Sequence, residues 1–180
     1  MSQATKLMQG QRRAMLWALL AVRSITRRAL RSAIRPDFAQ LNRLMGYVER
    51  FPENVHQPNE ERVLFSKVVA CEPSMARTVA RLRRDHSAMK GYGNRLRSTL
   101  RFWQQGDPNA GPLAASIADD YSHFCMRHMR AERRELLPVA ERVLTESQWL
   151  DAERAFESAA DPLAASRSER ERMAALLQLV

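Results

Sequence analysis

Residues 3–34 read QATKLMQGQRRAMLWALLAVRSITRRALRSAI. Ala4, Met8, Gln11, Met15, Ala18, Val22, Ile25 and Ala29 recur at alternating spacings of four and three. This is the seam of a helix that buries one stripe against partner helices. At about 100° per residue, the arginines of this segment fall on the half opposite the seam. Gln11 is the one strongly polar residue within it. Pro36 ends the helix, because the residue before a proline is pushed out of the helical region. A lone helix of this kind cannot bury its stripe, so the fold class follows from the need for partners: an all-α bundle.

Working outward, the apolar spacing stays helical and no stretch alternates as a strand does. Asp37 is placed to cap a second helix that continues toward Ala70, with a kink or break expected at Pro52 and Pro58. A third helix is expected over about 74–105. The stretch Gln105-Gly106-Asp107-Pro108-Asn109-Ala110-Gly111-Pro112 is the clearest loop. A fourth helix covers about 113–143, with Pro138 near its end. Thr145 and Gln148 have the spacing of a capping box and open a fifth helix at about 146–159. After Asp161-Pro162 a last helix is expected over about 167–178. Four long helices with short connections predict an antiparallel up-down four-helix bundle over about 3–143. The segment 145–180 adds helices to the same single domain, 1–180.

Composition agrees. The chain has 180 residues, 45% of them apolar, which suits one domain with a real core. Only 6 glycines and 8 prolines are few for an all-β chain. Cys71 and Cys125 allow no Cys-rich metal cluster and read as reduced thiols of a cytoplasmic protein. No apolar run is long enough for a membrane span. The formal charge is +9, and residues 1–35 hold eight basic and no acidic side chains. The chain is thus a near-neutral domain with one basic segment, which fits a structural helix better than a targeting leader. Nothing matches a nucleic-acid-binding motif. Leu16, Trp17 and Leu20 lie toward the arginine side of the first helix, and exposed apolar groups of that size mark a contact. The acidic C-terminal segment, a second copy in a homodimer, or an anionic surface are the alternatives for covering them.

Four histidines are present, and two are followed four residues later by glutamate: His56-Gln57-Pro58-Asn59-Glu60 and His128-Met129-Arg130-Ala131-Glu132. That spacing puts imidazole and carboxylate on one helix face, a turn apart. The pair can chelate a first-row metal, and two pairs on two helices can share two ions. His86 on the third helix supplies a further nitrogen. A ferritin-like Glu-x-x-His is present only at Glu53–His56, directly after Pro52. No nucleophile–base constellation or phosphate loop is found, so catalysis is not the expected role.

The words around these residues carry a resemblance. The stretch from Tyr47 through Pro52 and His56 to Phe65 resembles the second-helix signature of the hemerythrin-like HHE cation-binding family. Asp85-His86-Ser-Ala-Met-Lys-Gly is similar to that family's third-helix word. His128-Met-Arg-Ala-Glu132-Arg-Arg-Glu135-Leu-Leu-Pro138 resembles its fourth-helix word most closely, and Thr145 to Trp149 its tail. The resemblance covers about 36–160. It implies a four-helix bundle with a non-haem di-iron site for binding, storing or sensing O2 or a related oxidant. It further implies His56, Glu60, His86, His128 and Glu132 as metal ligands, with Glu60 and Glu132 bridging.

The chain departs from that pattern. No histidine or carboxylate precedes Asp37, so the first-helix ligand is missing, and Gln11 is the expected occupant of its place. Gln57 stands where many relatives have a second histidine. Lys90, four residues after His86, would repel a cation or else pair with Glu60 or Glu132. The expectation is asymmetric binding, with the position held by His86 and His128 filled more tightly; one ion, or none in a degenerate bundle serving as an interaction module, are the alternatives. Phe124 and Tyr121 share the His128 face as ordinary core or as walls of an apolar chamber. His123 points away, and Glu61 and Glu135 read as solvated or capping charges.

Overall fold

The computed structural model describes residues 2–158. The expected helix at 167–178 lies outside them. Helix α1 spans Gln3–Ser32; the Ser2 hydroxyl caps it by accepting from the Thr5 amide. It ends at Ala33, whose φ of 50° turns the chain before Pro36. Helix α2 begins at Phe38 behind the Asp37 cap, which accepts from the Gln40 amide. It runs to Cys71 without a break, through Phe38–Val48, Glu49–His56, Gln57–Asn59, Glu60–Phe65 and Ser66–Cys71. A short 3₁₀ turn, Pro73–Met75, leads into α3, Ala76–Gln104. Helix α4 comprises Ala110–Ala131, Glu132–Leu136 and Leu137–Val143. Helix α5, Glu146–Glu157, starts from the capping box of Thr145 and Gln148.

The expected break at Pro52 and Pro58 is replaced by π-helical turns. Glu49–His56 and Glu60–Phe65 in α2, and Glu132–Leu136 in α4, are π segments. They close with bonds five residues long: Gln57 N–H to Pro52 O, Ser66 N–H to Glu61 O, and Leu137 N–H to Glu132 O. A proline has no N–H and its ring collides with the carbonyl four residues back, so a wider turn accommodates it without ending the helix.

Helix α1 packs against α2 and α4, and α3 packs against the same two, which is the square of an antiparallel bundle. Helix α5 folds back over α1 and the middle of α2. The apolar interior is in two blocks. One gathers Met15, Val22, Leu41, Met45, Met89, Leu96 and Tyr121; the other gathers Met8, Leu64, Phe65, Leu82, Leu136 and Phe156. Between them every long helix contributes polar residues. Among the described residues there is no strand, and no helix is long and apolar enough to cross a membrane. Cys71 is exposed, Cys125 is buried, and both are free thiols. Trp17 is 36% exposed, while Leu16 and Leu20 are half-buried.

The basic face of α1 is tied to α4 through Asp119. Its carboxylate takes the Arg23 Nε–H at 2.6 Å and a second contact from Arg27. Partial burial pushes the Asp119 pKa up, but the hydrogen bonds from Arg27 and Arg23 outweigh this and hold it below the usual value. A lowered folded-state pKa contributes stability above the unfolded pKa, and that contribution disappears as pH falls through the folded value. Asp119→Asn is therefore expected to cost about 1 kcal/mol or less near neutral pH. Thermal unfolding should show the gap to the native chain narrowing at about pH 3, where the unfolded carboxylate is itself protonated.

Candidate metal centre

The polar layer lies where the two apolar blocks meet. Glu60 from α2, His86 from α3, and His128 and Glu132 from α4 each offer a donor atom, and these atoms all lie within 4.8 Å of one another. All four residues are buried; Glu132 has no exposed surface at all. The two His-to-Glu pairs close as their spacing predicts. His56 Nε2 stands 3.2 Å from Glu60 Oε1, and His128 Nε2 stands 3.2 Å from Glu132 Oε1. His86 Nε2 is 3.5 Å from Glu60 Oε2 and 3.1 Å from His128 Nε2. Met15, Met89 and Met129 complete the wall, and the void left inside is about 10 Å³.

Each imidazole is aimed by an acceptor on its far side. His86 Nδ1 donates to Glu61 Oε1 at 2.8 Å, and His128 Nδ1 to Asp85 Oδ2 at 3.3 Å. His56 Nδ1 donates to Gln11 Oε1 at 2.7 Å; Gln11 is held in turn by its Nε2–H, which donates to Phe156 O at 3.1 Å. With Nδ1 engaged in that bond, each ring turns its Nε2 inward. Three Nε2 atoms then face two carboxylates in a buried pocket. Neither Glu132 oxygen, nor His56 Nε2, has a hydrogen bond of good geometry. Buried acceptors facing one another are stable only around a proton or a cation. Carboxylate behind histidine, histidine toward the ion, is also the usual outer support of a metal ligand. The donor set therefore fits a cation between His86 and His128.

A second positive charge is already built in. Arg12 of α1 is buried, and its Nε and Nη2 donate to Glu60 Oε1 at 3.0 and 2.5 Å. The same Nη2 lies 2.9 Å from Glu132 Oε2. Burial works against the guanidinium charge, but Glu132 and Glu60 more than offset it, and its pKa rises. Burial likewise pushes Glu60 up, yet Arg12 and His56 hold it well below the usual carboxylate range. For His86, burial is outweighed by Glu60, Glu132 and Glu61, and its pKa rises.

This corrects the expectation that every α1 arginine faces away from the seam. Arg12 lies about 90° from the seam's centre. Because α1 packs on both α2 and α4, its buried arc extends beyond the seam to Thr5, Leu19 and Thr26 on that same flank. A long side chain at its edge reaches inward.

The family model of the hemerythrin HHE cation binding domain matches residues 4–140. The chain belongs to the hemerythrin HHE cation-binding family. The match takes in α1, which the sequence words beginning near residue 36 did not reach, and stops short of the Thr145 to Trp149 tail. No curated protein and no solved structure shows significant similarity to the chain.

The five candidate ligands line one pocket, and of the three flanking candidates Gln11 stands behind a candidate ligand, Phe124 belongs to the neighbouring core, and Lys90 lies at the surface. Gln11 does not fill the vacant ligand position; it aims His56, and Arg12 enters the layer beside it. Lys90 is exposed and lines a surface pocket instead, because Met89 is the α3 residue that turns inward. It makes no ion pair with Glu60 or Glu132. Phe124 lies tilted against Tyr92 at a centroid distance of 5.5 Å, outside the pocket lining. Tyr121 sits deep in the neighbouring apolar block, its hydroxyl donating to Glu53 Oε1 at 3.3 Å. Glu53 is a second buried carboxylate, also contacted by Arg97, and a Cβ at Gly93 would stand 2.2 Å from its Oε1. His123 is exposed, and Glu135 pairs with Arg81 at 2.6 Å. Glu61, read from sequence as a solvated or capping charge, and Asp85, present there only within the third-helix word, aim the histidines; a carboxylate adjacent to Glu60 and one adjacent to His86 were the available signals.

Removing Arg12 leaves two buried carboxylates without their cation. Arg12→Ala is expected to cost about 3–5 kcal/mol in the presence of a chelator, the scale for breaking a buried pair. Denaturant titration measures it, and added divalent metal should restore part of the loss.

Proposed function

We propose that this chain is a non-haem iron-binding member of its family that holds one ion, with Arg12 in place of a second cation. The observation that carries the reading is the inward turn of three Nδ1-anchored imidazoles onto Glu60 and Glu132, two carboxylates that share one guanidinium. Two carboxylates and one arginine leave a net charge of −1 for a metal to neutralise. His86, His128, Glu60 and Glu132 would hold it, and mixed imidazole and carboxylate donors suit iron. His56 is left on the Arg12 side, with one carboxylate and no second histidine. This is the asymmetry expected from the missing first-helix ligand, with Arg12 rather than Lys90 as its electrostatic counterpart.

A bound iron would supply a redox-active centre able to take O2 or a related oxidant. The chain's own part is to wall the pocket with Met15, Met89 and Met129, to fix the ring orientations through Glu61, Asp85 and Gln11, and to keep Glu60 ionised through Arg12. None of these groups is a nucleophile poised on a substrate, which favours binding or sensing in the cytoplasm over turnover. A second reading, a metal-free interaction module, is favoured by the Arg12 triad itself, since that ion pair already neutralises much of the pocket.

Metal analysis of the chain after anaerobic loading with iron(II) and desalting decides between them. Near one iron per chain is expected, falling to near zero in His128→Ala and unchanged in Lys90→Ala. Two irons would show that Arg12 moves aside, and none would leave the metal-free module. Arg12→Ala should raise the iron content above that of the native chain.

A further inference from the structure

Arg12 also lines a cleft between α1 and α4, about 360 Å³ in volume. Arg13, Arg130 and Arg133 stand around it, and no acidic residue lines it among the described residues. None of those three arginines has an ion pair or side-chain hydrogen bond among the described residues, whereas Arg12, Arg23 and Arg27 of α1 are paired. Leu16, Met129 and Leu137 supply an apolar wall. Four guanidiniums around one cleft repel one another unless an anion joins them, and guanidinium forks suit carboxylate or phosphate oxygens. The apolar wall is of no use to a small hydrated anion but suits an aliphatic chain. The volume lies within the roughly 300–1,000 Å³ of small-ligand pockets.

We propose that the α1–α4 cleft binds a small amphiphile with an anionic head and an aliphatic tail, and that its head competes with Glu60 and Glu132 for Arg12. The cleft and the metal pocket share Arg12 and Met129, and of these only Arg12 carries a charge. An anion that draws Arg12 outward leaves both carboxylates free for a cation, so amphiphile and metal each strengthen the binding of the other. Only the effect on metal rests on the proposed iron site; amphiphile binding does not.

Calorimetric titration of the metal-free full chain with decanoate tests the cleft, with decyl phosphate, decanol and acetate as parallel probes. One saturable decanoate or decyl phosphate per chain is expected, the tighter of the two identifying the head group. Decanol and acetate should bind about tenfold more weakly or worse, a difference of roughly 1.4 kcal/mol. The double variant Arg13→Ala, Arg133→Ala should lose about tenfold with its circular dichroism unchanged, since both residues are exposed and unpaired. Decanol binding as tightly as decanoate, unsaturable binding, or an unaltered double variant would overturn the site. So would a dimer, seen in sedimentation, that shuts decanoate out. Competition for Arg12 is read from its Nε–H resonance, which should shift on adding decanoate; binding with no shift would overturn that part. Iron(II) affinity should rise roughly fivefold or more with decanoate present. If the resonance shifts but no iron binds under any condition, the proposed iron site fails while the cleft stands.

Discussion

Two glutamates with almost no exposed surface face the same few cubic ångströms, and the guanidinium of Arg12 forms an ion pair with each, hydrogen-bonding Glu60 and lying 2.9 Å from Glu132. Like charges that close together in a dry interior cannot both ionise without a neighbouring cation. The rest of the layer follows from this. Glu60 and Glu132 are held apart by one fork of donors, so the helices that carry them take fixed positions on either side of α1. Because the arginine comes from α1 and the carboxylates from α2 and α4, one ion network ties three helices across the bundle. A metal in that place can dissociate; a side chain cannot. The fold has thereby transferred part of a cation's structural duty to its own covalent chain.

The layer also depends on what stands behind each histidine. Imidazole is useful to a cation only when its proton is elsewhere. Glu61, Asp85 and the Gln11 amide oxygen, from three different helices, accept the hydrogen bond that holds that proton on Nδ1. Helix α5 enters here through Phe156, whose backbone carbonyl orients Gln11 and whose ring lies against His56. The fifth helix is thus coupled to the site as well as covering it.

Fold class, helix order and both caps were legible because each rests on local pattern: a heptad seam, and Asp37 and Thr145 at cap positions. The five ligand candidates rested on glutamate four residues after histidine together with the family words around them, which carried His86, a histidine outside both pairs. Arg12 was not legible. Ideal helical geometry places it at the seam's edge, and only the joint packing of α2 and α4 widens the buried arc to include it. Lys90 failed for the complementary reason: a spacing of four from His86 suggests a shared face, but the inward position is taken by Met89. The shielding carboxylates Glu61 and Asp85 sit next to ligands in sequence, where a charged residue reads as solvated until the opposite helix is in place. The continuity of α2 through two prolines depends on hydrogen-bond register, which residue type alone does not report.

That register has a consequence for how such chains are compared. Each π segment holds one residue more than an α-helical path of the same turns would. The loss of a single residue between Glu49 and His56 would restore the narrower winding over the same turns, so the helix before it and the helix after it would keep their faces. Leu41, Met45 and Val48 would stay in their apolar block and Glu60 in the polar layer, while Pro52 would lose the wide turn that accommodates it. A one-residue gap at this place in a relative is therefore compatible with the same bundle and the same polar layer, provided that the proline goes with it.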